Sequence, residues 1–482
     1  MGGIRHNMKE KPFLAIDLGA GSGRVFLGSF ESCKLEVSEV HRFENRPIRL
    51  GGVLYWDFLA LWDNVIKGLA LCASRGAIEL AAIGIDSWNL DFALLGEDGM
   101  LLGNPISYRD QGAEWVGKQI ASTIGALELY QKTGIPILTI TGLARLIQMC
   151  RGRAAEMLDL ASWYLPIPDL VRFFLTGDAS IEETIAWGTQ LVDVSSRTWS
   201  LELIDLFGIP KRILPELVSA GTIPGSLSQE ITEITGLNRC PVATVAEHDT
   251  ASAVFIAHHF DPEAAILSAG TWSIFGIMID APLVSREALE AGFLNEIAYQ
   301  SIFFGKNLMG FFLLEELLKS WRTKGNECDY DALVQLARTA TPGSFLLDPN
   351  DPLFFSPSNF DVVFHHYCEK TNQKPVSEIG KIARALYEGL AASYAQALHE
   401  LSELLHRSFS RIVMVGGGVR NGFLCQLVAD ACGVEVMTGP AEATVTGNLC
   451  VQALALGRIR QEDLSALLEV SFEVGTYHPA PR

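Results

Sequence analysis

Phe13-Leu-Ala-Ile-Asp-Leu-Gly-Ala-Gly-Ser-Gly-Arg24-Val-Phe-Leu-Gly-Ser-Phe30 has a shape that returns in Ala264-Ala-Ile-Leu-Ser-Ala-Gly-Thr-Trp-Ser-Ile-Phe-Gly276. In both stretches two apolar, strand-like runs flank a turn of small residues, which fits a hairpin rather than a strand-to-helix step. No short-period repeat accompanies them, so the echo points to two related halves. Between the two, helical and strand patterns alternate. Phe58 to Cys72 has helical spacing, Ala81 to Ile85 is a strand, and Pro166 to Leu175 holds a helix stopped by Gly177. After the second hairpin, Ile379 to Leu405 reads as one long amphipathic helix. Arg411-Ile-Val-Met-Val-Gly-Gly-Gly418 reads as a buried strand running into a glycine turn, with a helix over Asn421 to Cys432. Such alternation in both halves predicts α/β domains. The natural boundary lies near 257–262, which gives an extension (1–12), two domains (13–257 and 262–460) and a tail (461–482).

Composition narrows the function. The 482 residues are 49% hydrophobic and 19% charged, ordinary for a globular chain. A net charge of −19 repels nucleic acid and anionic membrane, so a phosphate-bearing ligand must be held by local amides, a cation or isolated Lys and Arg. No uncharged apolar run reaches the roughly 18 residues that span a bilayer. Nine cysteines occur without a C-x-x-C pair, which argues against zinc or a disulfide framework and for a cytoplasmic protein.

The chemistry concentrates in Val245-Ala-Glu-His-Asp-Thr-Ala-Ser-Ala-Val254. An apolar run breaks into Glu247, His248 and Asp249, and a small, then apolar, helical segment follows. A carboxylate at a helix N-terminus is favoured in its charged form, so Asp249 is expected to stay ionised near neutral pH and to accept a proton from an attacking hydroxyl. The plain alternative is that Asp249 only caps the helix.

Three glycine-containing turns bear on the choice: Gly19 to Arg24, Gly270 to Ser273 and Gly416 to Gly418. Each lacks bulk where backbone amides would approach an anion. A P-loop is absent, and Val413 to Asn421 matches a dinucleotide fingerprint only in part. Asp17 is either a magnesium neighbour or a turn-forming residue. Together the parts suit phosphoryl transfer: two loops for phosphates, a third for the nucleoside, and Asp249 as base.

These motifs resemble the FGGY family of carbohydrate kinases, and within it the rhamnulokinases. Ala15 to Arg24 is similar to the first phosphate loop, and Ser268 to Ser273 to the second. Gly84-Ile-Asp-Ser-Trp-Asn-Leu-Asp-Phe92 and Tyr108-Arg-Asp110 resemble sugar-pocket segments, and His248 to Val254 the catalytic segment. Lys306-Asn-Leu-Met-Gly310 resembles a substrate-contacting turn. Gly416 to Asn421 and Gly439 to Ala443 are similar to the adenosine end. The resemblance implies a duplicated actin-like (ribonuclease-H-like) two-domain fold with its active site in the interdomain cleft, ATP with Mg²⁺, and a small sugar as partner. It makes Asp249 the general base. Trp88, Asn89, Tyr108, Arg109, Asp110, His248, Thr250 and Asn307 would bind the sugar. Ala20, Gly21, Ser22, Gly23, Arg24, Thr271, Gly417, Gly418 and Asn421 would bind ATP, with Asp17 near the metal. Assembly as monomer or homodimer stays open.

The chain also departs from the rhamnulokinase pattern. Asn89 replaces a glycine, Thr141-Gly-Leu-Ala144 replaces Asn-Thr-Leu-Tyr, and Ile297 and Ala298 replace glycines. These changes predict altered reading of sugar hydroxyls and poor use of L-rhamnulose. Three alternatives remain: a kinase for L-fuculose, xylulose or a similar sugar; a non-catalytic nucleotide- and sugar-binding regulator; and an actin-like ATPase.

Overall fold

Both expected hairpins are present in the computed structural model, which describes residues 11–31, 34–110, 114–152, 154–355 and 359–481. The expected N-terminal extension lies outside the described residues up to position 10. Phe13–Leu18 turns antiparallel into Ser22–Glu31, and Ala265–Ala269 into Trp272–Ile279. Each opening strand then takes a parallel neighbour from further along its own half. Phe13–Leu18 lies beside Ile83–Ser87, with Asp17 opposite Asp86, and Ala265–Ala269 lies beside Arg411–Val415. These strands are buried on both faces, which is why they read as continuous apolar runs rather than alternating ones.

The two sheets have six and seven strands. In each, the hairpin continues antiparallel on one side, to Lys34–Glu44 or Ser301–Met309. On the other side the parallel strand is followed by a further parallel one, Pro241–Ala243 or Glu435–Thr438. The duplicated two-domain α/β architecture implied by the resemblance is therefore present.

Equivalent helices follow those last strands, Asp249–Phe260 in the first half and Ala443–Ala455 in the second, and they pack against each other. A side chain at Gly447 would overlap the Ser252 carbonyl, so glycine there sets how closely the helices approach. The Ala443–Ala455 helix also reaches the first sheet. Gln452 Nε2 donates to the Leu14 carbonyl at 3.0 Å, and Asn448 Nδ2 to Asp86 Oδ2 at 2.6 Å. A core containing Phe13, Ala15, Phe255, Val445 and Leu449 joins the two halves, beside a separate core in each. The edge strand Leu294–Ala298 belongs to the second sheet yet docks on the first half, where Asn295 N donates to the Gly134 carbonyl at 3.0 Å. No helix among the described residues is long and apolar enough to cross a membrane.

Candidate active site

The Glu247–Asp249 turn is fixed through its backbone. Ser87 N donates to the Glu247 carbonyl at 2.8 Å, and Glu247 N donates to Glu182 Oε2 at 3.2 Å. His248 N donates to Thr184 Oγ1 at 3.1 Å. Beneath the turn, the fully buried Arg172 pairs with Asp169 and Asp178 and lies 3.3 Å from Glu247. Burial and the neighbouring carboxylates push Glu247 well above its ordinary range. Removing Arg172 would strand several buried carboxyls, so this cluster is a rigid support.

His248 occupies the N-cap position without a side-chain capping bond, and Asp249 is the first helical residue. Asp249 is thus not a conventional cap: its Oδ1 accepts from the adjacent Thr250 amide at 2.7 Å and faces the Thr250 hydroxyl at 3.4 Å. Its side chain remains 35% exposed. The expectation of an ionised carboxylate near neutral pH needs correction, because desolvation in the cleft and the negative field of Asp17 push its pKa to about 7. A helix terminus contributes about 0.3–1 kcal/mol, under one pKa unit, whereas burial shifts such groups by several.

Asp17 and Asp86 stand side by side on adjacent strands, and burial raises both, Asp86 strongly. Arg24 pairs with Asp17, and its Nη1 donates to Glu442 Oε2 of the second half at 2.6 Å. Asp86 Oδ1 has no partner. The hairpin tip carrying Ala20, Gly21 and Ser22 borders open space, since a Cβ at Gly21 would meet nothing within 4 Å. Gly23 has another reason, as a side chain there would enter the Phe43 ring. Thr271 is exposed at the second hairpin tip, seated over Gly310 where only glycine leaves room. Gly417 and Gly418 lie in a short 3-10 turn, and a Cβ at Gly417 would also meet nothing. Asn421 caps the helix after that turn, its Oδ1 accepting from Phe423 and Leu424 amides at 3.2 Å each, while its buried side-chain amide faces the Tyr387 hydroxyl.

The expected sugar residues are less uniformly placed. Trp88 is buried in the core, its ring centroid 4.6 Å from that of Trp56. Both indoles donate to Asp91 Oδ2, at 2.8 and 2.6 Å, and burial raises the Asp91 pKa to about 7. Asn89 is half-buried and packs on Gly188, and Leu90 after it has a positive φ of 85°. Asp110 accepts from the Leu54 amide at 2.6 Å, and the exposed Arg109 lies over the Tyr108 ring. Asn307 is exposed on its strand, opposite Ile274. Thr141 Oγ1 bonds Gln190 at 3.0 Å and caps its own helix, and Ala144, Ile297 and Ala298 are buried in cores. Among the departures, Asn89 alone keeps a partly open side chain.

Two family models match, the N-terminal domain of the FGGY family of carbohydrate kinases over residues 13–256 and the C-terminal domain over 265–456. The chain belongs to the FGGY family of carbohydrate kinases. This FGGY kinase is 38% identical over 474 residues to the rhamnulokinase of Bacteroides thetaiotaomicron, covering 98% of this chain and 96% of that one. It is 34% identical over 484 residues to the rhamnulokinase of Enterococcus faecalis, covering 99% and 96%. In fold it is similar to gluconate kinase from Lactobacillus acidophilus, with TM-score 0.80, 19% identity and coverage of 98% and 94%. Plasmodium falciparum glycerol kinase with ADP gives TM-score 0.79, 17% identity and coverage of 97% and 94%. Sequence reading passed over Glu182, Thr184 and Arg172, whose roles arise from contacts between distant segments; Glu296 stood beside the departures Ile297 and Ala298 without being given a role, and Asp91 lay within a stretch already singled out.

Proposed function

We propose that this kinase transfers the terminal phosphoryl group of ATP to a hydroxyl of a ketose or deoxy-ketose, with L-rhamnulose the first candidate. Asp249 takes the hydroxyl proton as the oxygen attacks. The observation that carries this reading is the Asp249 carboxyl itself, clamped through its neighbours' backbone yet still open to the cleft. A pKa of about 7 suits a general base working near neutrality.

The residues fit the nucleotide. Gly21 and Gly417 leave open space for its close approach. Asp17 and Asp86 set two carboxyls side by side, with Arg24 the cation paired to Asp17 among the described residues, a setting that suits magnesium, which keeps its waters and needs few carboxylates. Bound magnesium would neutralise charge on the phosphates. Arg24, held between Asp17 and Glu442, is poised to exchange a carboxylate for a phosphate oxygen.

The similarity to rhamnulokinases makes L-rhamnulose the first candidate, against the expectation of its poor use, and the buried Thr141 and Ala144 leave Asn89 as the departure expected to alter specificity. The test is ATP consumption against L-rhamnulose, L-fuculose, xylulose and gluconate, with Asp249→Asn as control. Saturable, Asp249-dependent turnover of one ketose is expected. Sugar-independent ATP hydrolysis, or no turnover with any sugar, would overturn the reading.

A further inference from the structure

Glu296, on the docked edge strand of the second half, has no part in the chemistry described so far. Its side chain is 3% exposed, and its Oε2 lies 3.5 Å from His248 Nδ1. Among the described residues neither atom has a hydrogen-bond partner within normal geometry, which leaves each facing the other. On the opposite edge of the same imidazole, Nε2 lies 3.4 Å from Asp249 Oδ1. Trp187 stacks on the ring, with centroids 6.3 Å apart and planes 23° apart, so the imidazole has little freedom to turn. The three side chains form a line, Glu296 to His248 to Asp249, that crosses from one half of the molecule to the other.

The proton count along this line follows from exposure. Among the described residues no Lys or Arg pairs with Glu296, and the titratable groups facing it are His248 and Asp249. Two carboxyls joined through one buried, neutral ring do not both ionise readily. The proton belongs on the more buried one, Glu296, rather than on Asp249 with its 35% exposure. Burial and the Asp249 charge indeed raise Glu296 to about 8, and burial lowers His248 to about 3. Which imidazole nitrogen carries hydrogen is set by what the other nitrogen bonds.

We propose that Glu296 is a positioning residue: as a protonated acid it donates to His248 Nδ1, so that Nε2–H points at Asp249 and holds the base ionised and aligned. The proposal rests on the general-base reading of Asp249. Both separations are long for hydrogen bonds, as catalytic bonds commonly are before substrate closes the site.

A glutamine at 296 can also donate to Nδ1, whereas leucine cannot. Glu296→Gln is expected to keep kcat within about threefold, and Glu296→Leu to lose roughly 10- to 100-fold in kcat with both KM values unchanged. The acid limb of the kcat profile should move to higher pH in the leucine variant only; Asp17 and Asp86, which face Asp249, and Glu296 itself are the other titrating groups there. In ¹⁵N-histidine-labelled protein at pH 7, the signal lost in His248→Gln should be that of an Nε2–H tautomer. Equal damage by Gln and Leu, an unaffected Leu variant, a change in sugar KM instead of kcat, or an Nδ1–H tautomer overturns the proposal. The glutamine variant and the tautomer decide the matter even if the leucine variant does not fold. Active Asp249→Asn enzyme would remove the base reading itself; inactive Asp249→Asn beside a normal leucine variant removes only the role of Glu296.

Discussion

Asp249 sits where two opposing effects meet, the helix terminus favouring its charge and the cleft opposing it, and the cleft wins. With Asp249 as the proposed general base, activity would need the deprotonated form, so kcat should fall as pH drops through about 7, reaching roughly a tenth of its plateau one unit lower. A flat profile between pH 5.5 and 8 would remove Asp249 as the base. Asp249→Asn should cost on the order of 10²–10⁴ in kcat while ATP affinity holds. Stability moves the other way. A carboxyl whose folded pKa is raised above its unfolded value stabilises the fold fully at low pH, and that contribution is lost as pH rises through the folded value. Hence Asp249→Asn should melt higher than wild type at pH 8 and close to it at pH 4, a comparison that thermal scans make directly.

The turn from Trp88 to Asp91 stores strain. Leu90 has φ of 85°, a conformation that costs a bulky residue on the order of 1–3 kcal/mol and persists where the surroundings impose it. Here the two indole bonds to Asp91 impose it. Leu90→Gly should therefore raise the melting temperature by a few degrees and lower kcat/KM for the sugar, as Asn89 beside it loosens; a lower melting temperature would refute the strain. Elements of this kind mark where sequence reading stopped. The hairpins, the long helix and the glycine turns were legible because periodicity and small residues are local signals. Trp88 and Asp110, expected at the sugar, also bond Asp91 and the Leu54 amide, partners that one-dimensional patterns do not reveal. Glu182 and Thr184 escaped notice for the same reason, since they reach the catalytic turn from more than sixty residues away.

At the scale of the molecule, the cleft predicts closure. Sugar and Mg-ATP together should draw the two halves towards each other, and small-angle scattering should record a smaller radius of gyration. An unchanged radius at confirmed occupancy would count against it. The contact of Gly447 with Ser252 is the place to disturb this movement. Gly447→Ala pushes a methyl group into backbone and should destabilise by about 1–3 kcal/mol, measurable by urea denaturation.

The helix Ala443–Ala455 carries a consequence for synthesis. Its Thr444 hydroxyl bonds the Asp249 carbonyl at 3.2 Å, and its Asn448 bonds Asp86, so the centre of the first half is completed by residues translated after most of the second half. The first half emerges with Ala15, Phe255 and Asp86 still lacking their cover, and it must wait through most of the second half's translation for that cover. A nascent chain of this kind is expected to need shelter until the helix Ala443–Ala455 has been made. A chain truncated before this helix is expected to be protease-sensitive and to spend no ATP.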